Sequence, residues 1–392
     1  MTGDNLTSES QLRRVLILLA IASPIVVATE FIVVGLLPVL VSDLGVTMAE
    51  AGWLTGAFAL SAAVLGPLLT LLAASQPPKR MMVAALLLFA AGNAIAVWTC
   101  RFGVMLVIRV LQGAALPVFI SVGTATVSAL APRDRRGRTL AQANWGFVIG
   151  IIGALPAGVA LAQGGHWRLP LLVLSVLALI AAILLAIWFP SVIVPIPKPS
   201  DQAELLTQSA FLAHLTLTVA AFAALLAAYT YFSVWLSTVV GLDMHEVAVT
   251  LFGFGMAGLL GNFVASRIAD RMPVVATAGA VAIVALAVAG AARFHENMAV
   301  LASQLAIWGV AHTAVVTLCQ IRVVTAGGQM PAFAMSMNIS SANLGIAIGA
   351  AIGGYVIDRA GFDAIPIAPI GMAVVVAVIA ALTARIARDS KA

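Results

Sequence analysis

The chain has 392 residues, of which 62% are hydrophobic and only 9% charged, with a mean hydropathy of +1.11. A water-soluble domain carries roughly 25% charged residues, so this composition excludes a protein whose surface faces mainly water. The net charge of +5 comes without a basic patch interleaved with aromatic residues, which argues against a nucleic-acid partner.

A helix that crosses a bilayer needs about 20 mostly apolar residues. Twelve such runs follow one another, over 15–40, 52–74, 80–99, 103–128, 138–162, 168–189, 211–238, 246–268, 273–292, 298–322, 332–357 and 364–386. They are too long and too continuously apolar for barrel strands, which would alternate, and helices satisfy their own backbone groups in lipid. Arg13 and Arg14 lead into a first run longer than a signal core, so it is expected to stay as a membrane helix.

The fifth run carries Gly146, Gly150, Gly153, Pro156 and Gly158, and the eleventh carries Gly345, Gly349 and Gly353. Small residues at four-residue spacing let helix backbones approach closely, and proline weakens the ladder where a helix bends. Between the sixth and seventh runs lies PSVIVPIPKPSDQAELLTQS, in which Pro190, Pro195, Pro197 and Pro199 forbid a continuous helix. The expected organisation is a six-helix bundle over 1–189, a cytoplasmic linker over 190–210 and a second six-helix bundle over 211–392. Two halves with matching special positions point to a transporter built from repeats, with its site at their interface.

With both termini cytoplasmic, the inside segments hold Arg13, Arg14, Lys79, Arg80, Arg133, Arg135, Arg136, Arg138, Lys198, Arg267, Arg271, Arg322, Arg385, Arg388 and Lys391. The outside loops hold Arg101, Arg168, Arg293 and Arg359, and Arg109 falls inside a helix. This asymmetry is what the positive-inside rule predicts for an even number of spans.

Chemistry-bearing residues are few. Cys100 and Cys319 lie in distant segments and make no disulfide framework, and the five histidines show no ligand spacing, so no metal is expected. There is no phosphate-binding glycine-lysine loop and no set of nucleophile, base and orienting acid, which argues against ATP drive and against an enzyme. Glu30 stands alone in the apolar run VVATEFIVVG. A carboxyl there is costly unless protonated or facing a wet cavity, so it is either a proton-exchanging group or a glutamate that snorkels to the interface. Arg109 is either its partner or a structural arginine held by backbone carbonyls. Polar and aromatic candidates for a substrate cavity are Gln112, Asn144, Trp145, Tyr229, Tyr231, Trp235, Trp308, His312, Asn338 and Asn343. Each could instead join helices or sit in an interfacial belt. His312 is also a second titratable group.

Several stretches together resemble the major facilitator superfamily, and within it the twelve-helix drug:proton antiporter group that includes sugar, arabinose and purine-nucleoside exporters. They are TEFIVVGLLPVL, VIRVLQG, GIIGALPAG, HWRLPLLVL, ADR and NLGIAIGAAIGG. The resemblance implies an all-α membrane protein of twelve transmembrane helices in two pseudo-symmetric six-helix bundles, in a bacterial inner membrane. It implies that Glu30 and Arg109 serve proton coupling and that the glycines of the fifth helix belong to an antiporter motif. Asp270 and Arg271 would act as a gating pair after the eighth helix, whereas the matching loop of the first half has Ala74 and Ser75 where the family has an acid and a basic residue. The implied function is proton-coupled export of a drug or metabolite by a monomer, with protons as coupling ion and no other cofactor. A narrow exporter of a sugar, nucleoside or amino-acid derivative and a proton symport importer are the alternatives.

Overall fold

Helices account for nearly all of the computed structural model, which describes residues 2–73, 75–99, 101–132, 136–163, 166–192, 204–269, 272–328 and 330–389. In chain order they are α1 (Thr2–Leu44), α2 (Met48–Ala73), α3 (Pro78–Trp98), α4 (Phe102–Leu130), α5 (Arg136–Leu161) and α6 (Arg168–Trp188). The second half holds α7a (Ser209–Tyr229), α7b (Phe232–Thr238), α8 (Met244–Ile268), α9 (Pro273–Arg293), α10 (Met298–Ala326), α11 (Pro331–Ala360) and α12 (Ile367–Asp389). α7a and α7b form one span, Ser209–Thr238. Eleven described segments are long and apolar enough to cross a membrane. α5 is the twelfth helix, and it packs lengthwise on α1. Among the described residues there is no strand. The fold is therefore all-α, as expected, and the chain is a multi-pass membrane protein. Residues 193–203 of the expected linker lie outside the described residues.

The first hairpin of each half turns in the same way. Gly45 and Gly241 take φ of +63° and +80°, a left-handed conformation open to glycine. Two residues later, Thr47 and Asp243 close capping boxes with Glu50 and Glu246. The sequence repeats accordingly, GVTMAE at 45–50 and GLDMHE at 241–246. We call the end of the molecule that carries these two turns distal, and the opposite end, with the 75–77 turn, proximal.

Within the first half, α1 packs on α5, α2 on α4 and α3 on α6; within the second, α7a packs on α11 and α12, and α10 on α8 and α9. The halves meet through α2 with α11, α5 with α8, α1 with α7b, and α4 with α11. Helix directions follow from the residues in contact. Along α11, Gly345, Gly349 and Gly353 lie against Val219, Ala223 and Ala227 of α7a in turn, so these helices are parallel. Along α2, Gly52 and Gly56 meet Tyr231 and Ala347, and Gly354 meets Ala49, so α2 is antiparallel to α11. Since α1 and α2 form a hairpin, α1 and α7 run in the same sense. Large apolar side chains such as Trp98, Leu260, Leu286 and Val374 are exposed on the outer faces of their helices, as a lipid-facing surface requires.

Candidate functional site

In the first half the site is built around Arg109 of α4, which is buried. Its Nε donates to the Leu54 carbonyl at 2.9 Å, and its two terminal nitrogens donate to the carbonyls of Thr29 at 2.6 Å and Glu30 at 2.7 Å. The guanidinium lies 4.3 Å from the centre of the Phe58 ring. A buried arginine charge is tolerated when its rigid fork of donors meets carbonyls and an aromatic face in this way. Beside it runs a buried polar chain. Gln112 donates to Asn93 at 3.0 Å, Asn93 to Thr29 at 3.1 Å, and Thr29 to the Ile25 carbonyl at 3.0 Å. Gln112 thus has its partners on α3, inside the first bundle.

Glu30 is only 9% exposed. Its carboxyl forms no hydrogen bond and no ion pair among the described residues. It shares a stripe of α1 with Val34, one turn later, whose carbonyl receives the hydroxyl of Ser233 from α7b. Glu30 therefore lies one turn from a direct contact between the two halves.

Tyr229 belongs to an aromatic cluster of the second half. Its ring centre lies 4.8 Å from His312 and 5.5 Å from Phe254; Phe232 is 4.6 Å from Trp308, and Phe254 meets Trp308 edge-on at 5.4 Å. Gly309 makes this possible. A Cβ there would stand 2.6 Å from the Phe254 carbonyl, so only glycine brings α10 so close to α8, with Trp308 and His312 flanking the contact on one face. Trp308 Nε1 and His312 Nδ1 are buried without hydrogen-bond partners, and the Tyr229 hydroxyl has none among the described residues.

Residues 19–330 match the model of the Major Facilitator Superfamily. The chain belongs to that family. It is 30% identical over 354 residues to an uncharacterized MFS-type transporter, YtbD, of Bacillus subtilis, covering 88% of this chain and 89% of the relative. It is 30% identical over 378 residues to a chloramphenicol resistance protein of Streptomyces lividans, covering 94% and 96%. Among solved structures it superposes, with a TM-score of 0.75 at 15% identity and 97% coverage of both chains, on a bacterial homolog of the human lysosomal transporter Spinster in an inward-facing, unoccupied conformation. The nucleoside transporter NupG gives a TM-score of 0.74 at 12% identity, covering 95% of this chain and 99% of that one. This transporter therefore has the major facilitator fold, and it is not an enzyme.

Of the sequence-predicted residues, the structure brings Glu30 and Arg109 together in the first half and Tyr229, Trp308 and His312 together in the second. The remaining candidates are dispersed. Tyr231 donates to the Ala350 carbonyl at 2.7 Å, Trp235 faces the ring of His295 near the distal end, Asn338 accepts from Thr218 at 3.3 Å, and Asn343 donates to the Ile339 carbonyl at 3.0 Å. Gly146, Gly150 and Gly158 of α5 lie against Leu19, Pro24 and Ile32 of α1, and Pro156 is buried in α5, whereas nothing lies within 4 Å of a Cβ at Gly153. The side chains of Asn144 and Trp145, and residues Ala74, Asp270 and Arg271, lie outside the described residues.

One placement is a correction. Arg322, expected in an inside segment, is 2% exposed within α10 and gives no topological information. It donates to the His214 ring at 2.9 Å, the His214 carbonyl at 2.7 Å and the Thr218 hydroxyl at 3.0 Å. Phe232, Phe254 and Asn93 were also missed by sequence reasoning. The first two read as ordinary apolar residues of their spans. Asn93, the single asparagine of α3, is a polar signal that could have been found.

Proposed function

We propose that this transporter exports small organic molecules in exchange for protons, with Glu30 as the group that binds the proton. The observation that carries this reading is the buried carboxyl of Glu30 without a hydrogen-bond partner among the described residues, one turn from the contact of Ser233 with Val34 between the two halves. A carboxyl inside a membrane protein is costly and is a functional-site hypothesis by default. Free of a fixed ion pair, it can change protonation as the halves expose it to one side and then the other. Arg109 is a positioning residue in this scheme: it fixes the backbone of Glu30 and sets a permanent positive charge beside it.

The cycle runs as follows. Glu30 takes up a proton at the distal side as substrate leaves, the halves rock, and Glu30 releases the proton to the proximal side before substrate binds again. The proximal end would face the cytoplasm of a bacterial cell, with both termini inside, because Arg13, Arg14, Arg80, Arg267 and Arg385 gather there. The name of the Streptomyces lividans relative favours export over import. The working unit would be the single chain.

In proteoliposomes with an imposed pH gradient, Glu30→Gln should abolish uphill substrate movement while leaving the fold intact. Substrate counterflow, which needs no net proton movement, should survive in the same variant. Undiminished gradient-driven transport by Glu30→Gln would remove Glu30 from the mechanism.

A further inference from the structure

We propose that the distal corner between α3 and α6 binds an anionic phospholipid of the surrounding bilayer. Arg168 and His166 take the phosphodiester, and Leu169 and Leu172 lie under the first part of an acyl chain.

The corner is on the outside of the molecule and at the edge of the membrane. α3 starts at the proximal 75–77 turn, so its last residues and the first residues of α6 are distal. The two helices pack on each other and take no part in the contacts between the halves described above. Their outer faces expose Ile95, Leu169, Leu172 and Val176, as helices do against lipid. Trp98, the last residue of α3, is 86% exposed, and an indole so placed marks the headgroup level of a bilayer.

A hollow of about 340 Å³ opens there, lined by Val97, His166, Arg168, Leu169 and Leu172. Its chemistry is divided. Two side chains are basic, three are apolar, and none is acidic. A phospholipid is divided in the same way at this depth, with a charged phosphodiester next to the start of its chains. A soluble phosphate would meet the two basic groups but gain nothing from Leu169 and Leu172.

The guanidinium of Arg168 is fixed before any ligand arrives. Its Nε donates to the Val97 carbonyl at 3.1 Å, a terminal nitrogen lies 3.3 Å from the Asp43 carboxylate, and the group sits 4.3 Å from the centre of the Trp167 ring. Trp167 is fully buried and donates its indole N–H to the same Asp43 oxygen at 2.7 Å. The rotamer freedom that a long side chain loses on binding is here lost on folding, which favours binding. The Arg168 side chain is still 38% exposed, and His166 beside it is exposed as well. A planar guanidinium suits the oxygens of a phosphate.

Charge selects the headgroup. Ethanolamine or choline brings a cation along with the phosphate, and that cation needs an acid. The acid in contact with Arg168, Asp43, already accepts from both Trp167 and Arg168. Arg101, exposed at the start of α4 three residues after Trp98, adds positive charge to the same corner. A headgroup with net negative charge, as in phosphatidylglycerol, is therefore preferred over a zwitterionic one.

The test is photolabelling of the purified full-length protein in phosphatidylcholine nanodiscs. Separate samples carry, at equal mole fraction, phosphatidylglycerol or phosphatidylethanolamine with a diazirine at the same acyl position near the glycerol, and labelled residues are mapped by peptide mass spectrometry. Residues 97–98 and 166–172 should take about fivefold more label from the phosphatidylglycerol probe, the factor for one basic group meeting an anionic lipid. His166→Glu leaves the frame around Arg168 in place and sets a negative charge on the rim, so the ratio should fall to about twofold or less. Inorganic phosphate added at constant ionic strength should leave the labelling unchanged. Equal labelling of these residues by the two probes in the unaltered protein overturns the proposal even if the variant does not fold. An unchanged ratio in His166→Glu overturns it too. Loss of label to inorganic phosphate would assign the hollow to a soluble anion and overturn the lipid as its occupant.

Discussion

Two buried arginines hold the first helix of each half from the fourth helix of that half. Arg109 of α4 binds the Thr29 and Glu30 carbonyls of α1, and Arg322 of α10 binds the His214 carbonyl and Thr218 hydroxyl of α7a. Lysine at either position keeps the charge but presents a compact ammonium instead of a planar fork. Arg109→Lys cannot reach three carbonyls on two helices at once, and each charge-assisted hydrogen bond lost costs about 1.5–3 kcal/mol. We expect Arg109→Lys to lower the thermal midpoint by several degrees and to cut transport at least tenfold with Glu30 intact, measured by melting of the purified protein and by flux in proteoliposomes. Arg322→Lys should show the loss of stability with a smaller loss of transport, because it touches no residue at the level of Glu30. The sequence displays Glu30 and Arg109 because a charge in an apolar run is visible without any packing information. It does not display what Arg109 binds: main-chain carbonyls exist at every position, and which of them face the guanidinium depends on how α1, α2 and α4 cross. Arg322 was misplaced for a related reason. It lies near the end of a long apolar run, where hydropathy cannot separate a boundary residue from a buried one.

At the scale of helices, contacts through small residues decide the arrangement. Gly349 of α11 faces α7a so closely that a Cβ would stand 2.5 Å from the Ala223 carbonyl and 3.0 Å from the Ala227 nitrogen. Backbone cannot yield as a side-chain tip can, so Gly349→Val should push α11 from α7a and reduce both yield and thermal stability. Gly153 of α5 belongs to the same kind of pattern in the sequence, yet it has open space around it. Gly153→Ala should therefore raise stability by about 0.5–1 kcal/mol, the helix preference of alanine over glycine, read from the same melting measurement. Spacing alone could not tell these glycines apart, since it reports that a helix has a small stripe and not whether a neighbour fills it. The twelve helices were legible, because apolar length is a local signal, whereas the matching GVTMAE and GLDMHE turns, equally local, were missed by sequence reasoning. The break between α7a and α7b was not legible. The stretch Tyr229-Thr230-Tyr231-Phe232 contains neither proline nor glycine, and the helix is interrupted where Tyr231 turns to donate to the Ala350 carbonyl of α11.

For the molecule as a whole, several close approaches between the halves lie toward one end. Ser233 donates to Val34, Tyr231 fills a notch between Gly52 and Gly354, and Gly56 approaches Ala347, all toward the distal end. These contacts hold the distal ends of the two halves together, and alternating access requires them to break in another state. The hydroxyl of Ser233 is a contact that the distal-open state must give up. Losing one hydrogen bond worth about 1 kcal/mol changes the ratio of two states by about fivefold, so Ser233→Ala should favour the distal-open form by that order. Gly52→Ala should act in the same direction and more strongly, because its methyl would overlap the Tyr231 hydroxyl while leaving the bundle interiors untouched. A cysteine at Ala347, buried beside Gly56 and placed in a chain whose Cys100 and Cys319 are replaced by serine, reports the opening through its rate of labelling by a membrane-impermeant thiol reagent applied at the distal face. Labelling should rise about fivefold with Ser233→Ala and further with Gly52→Ala, whereas an unchanged rate in both would mean that these contacts do not hold the gate.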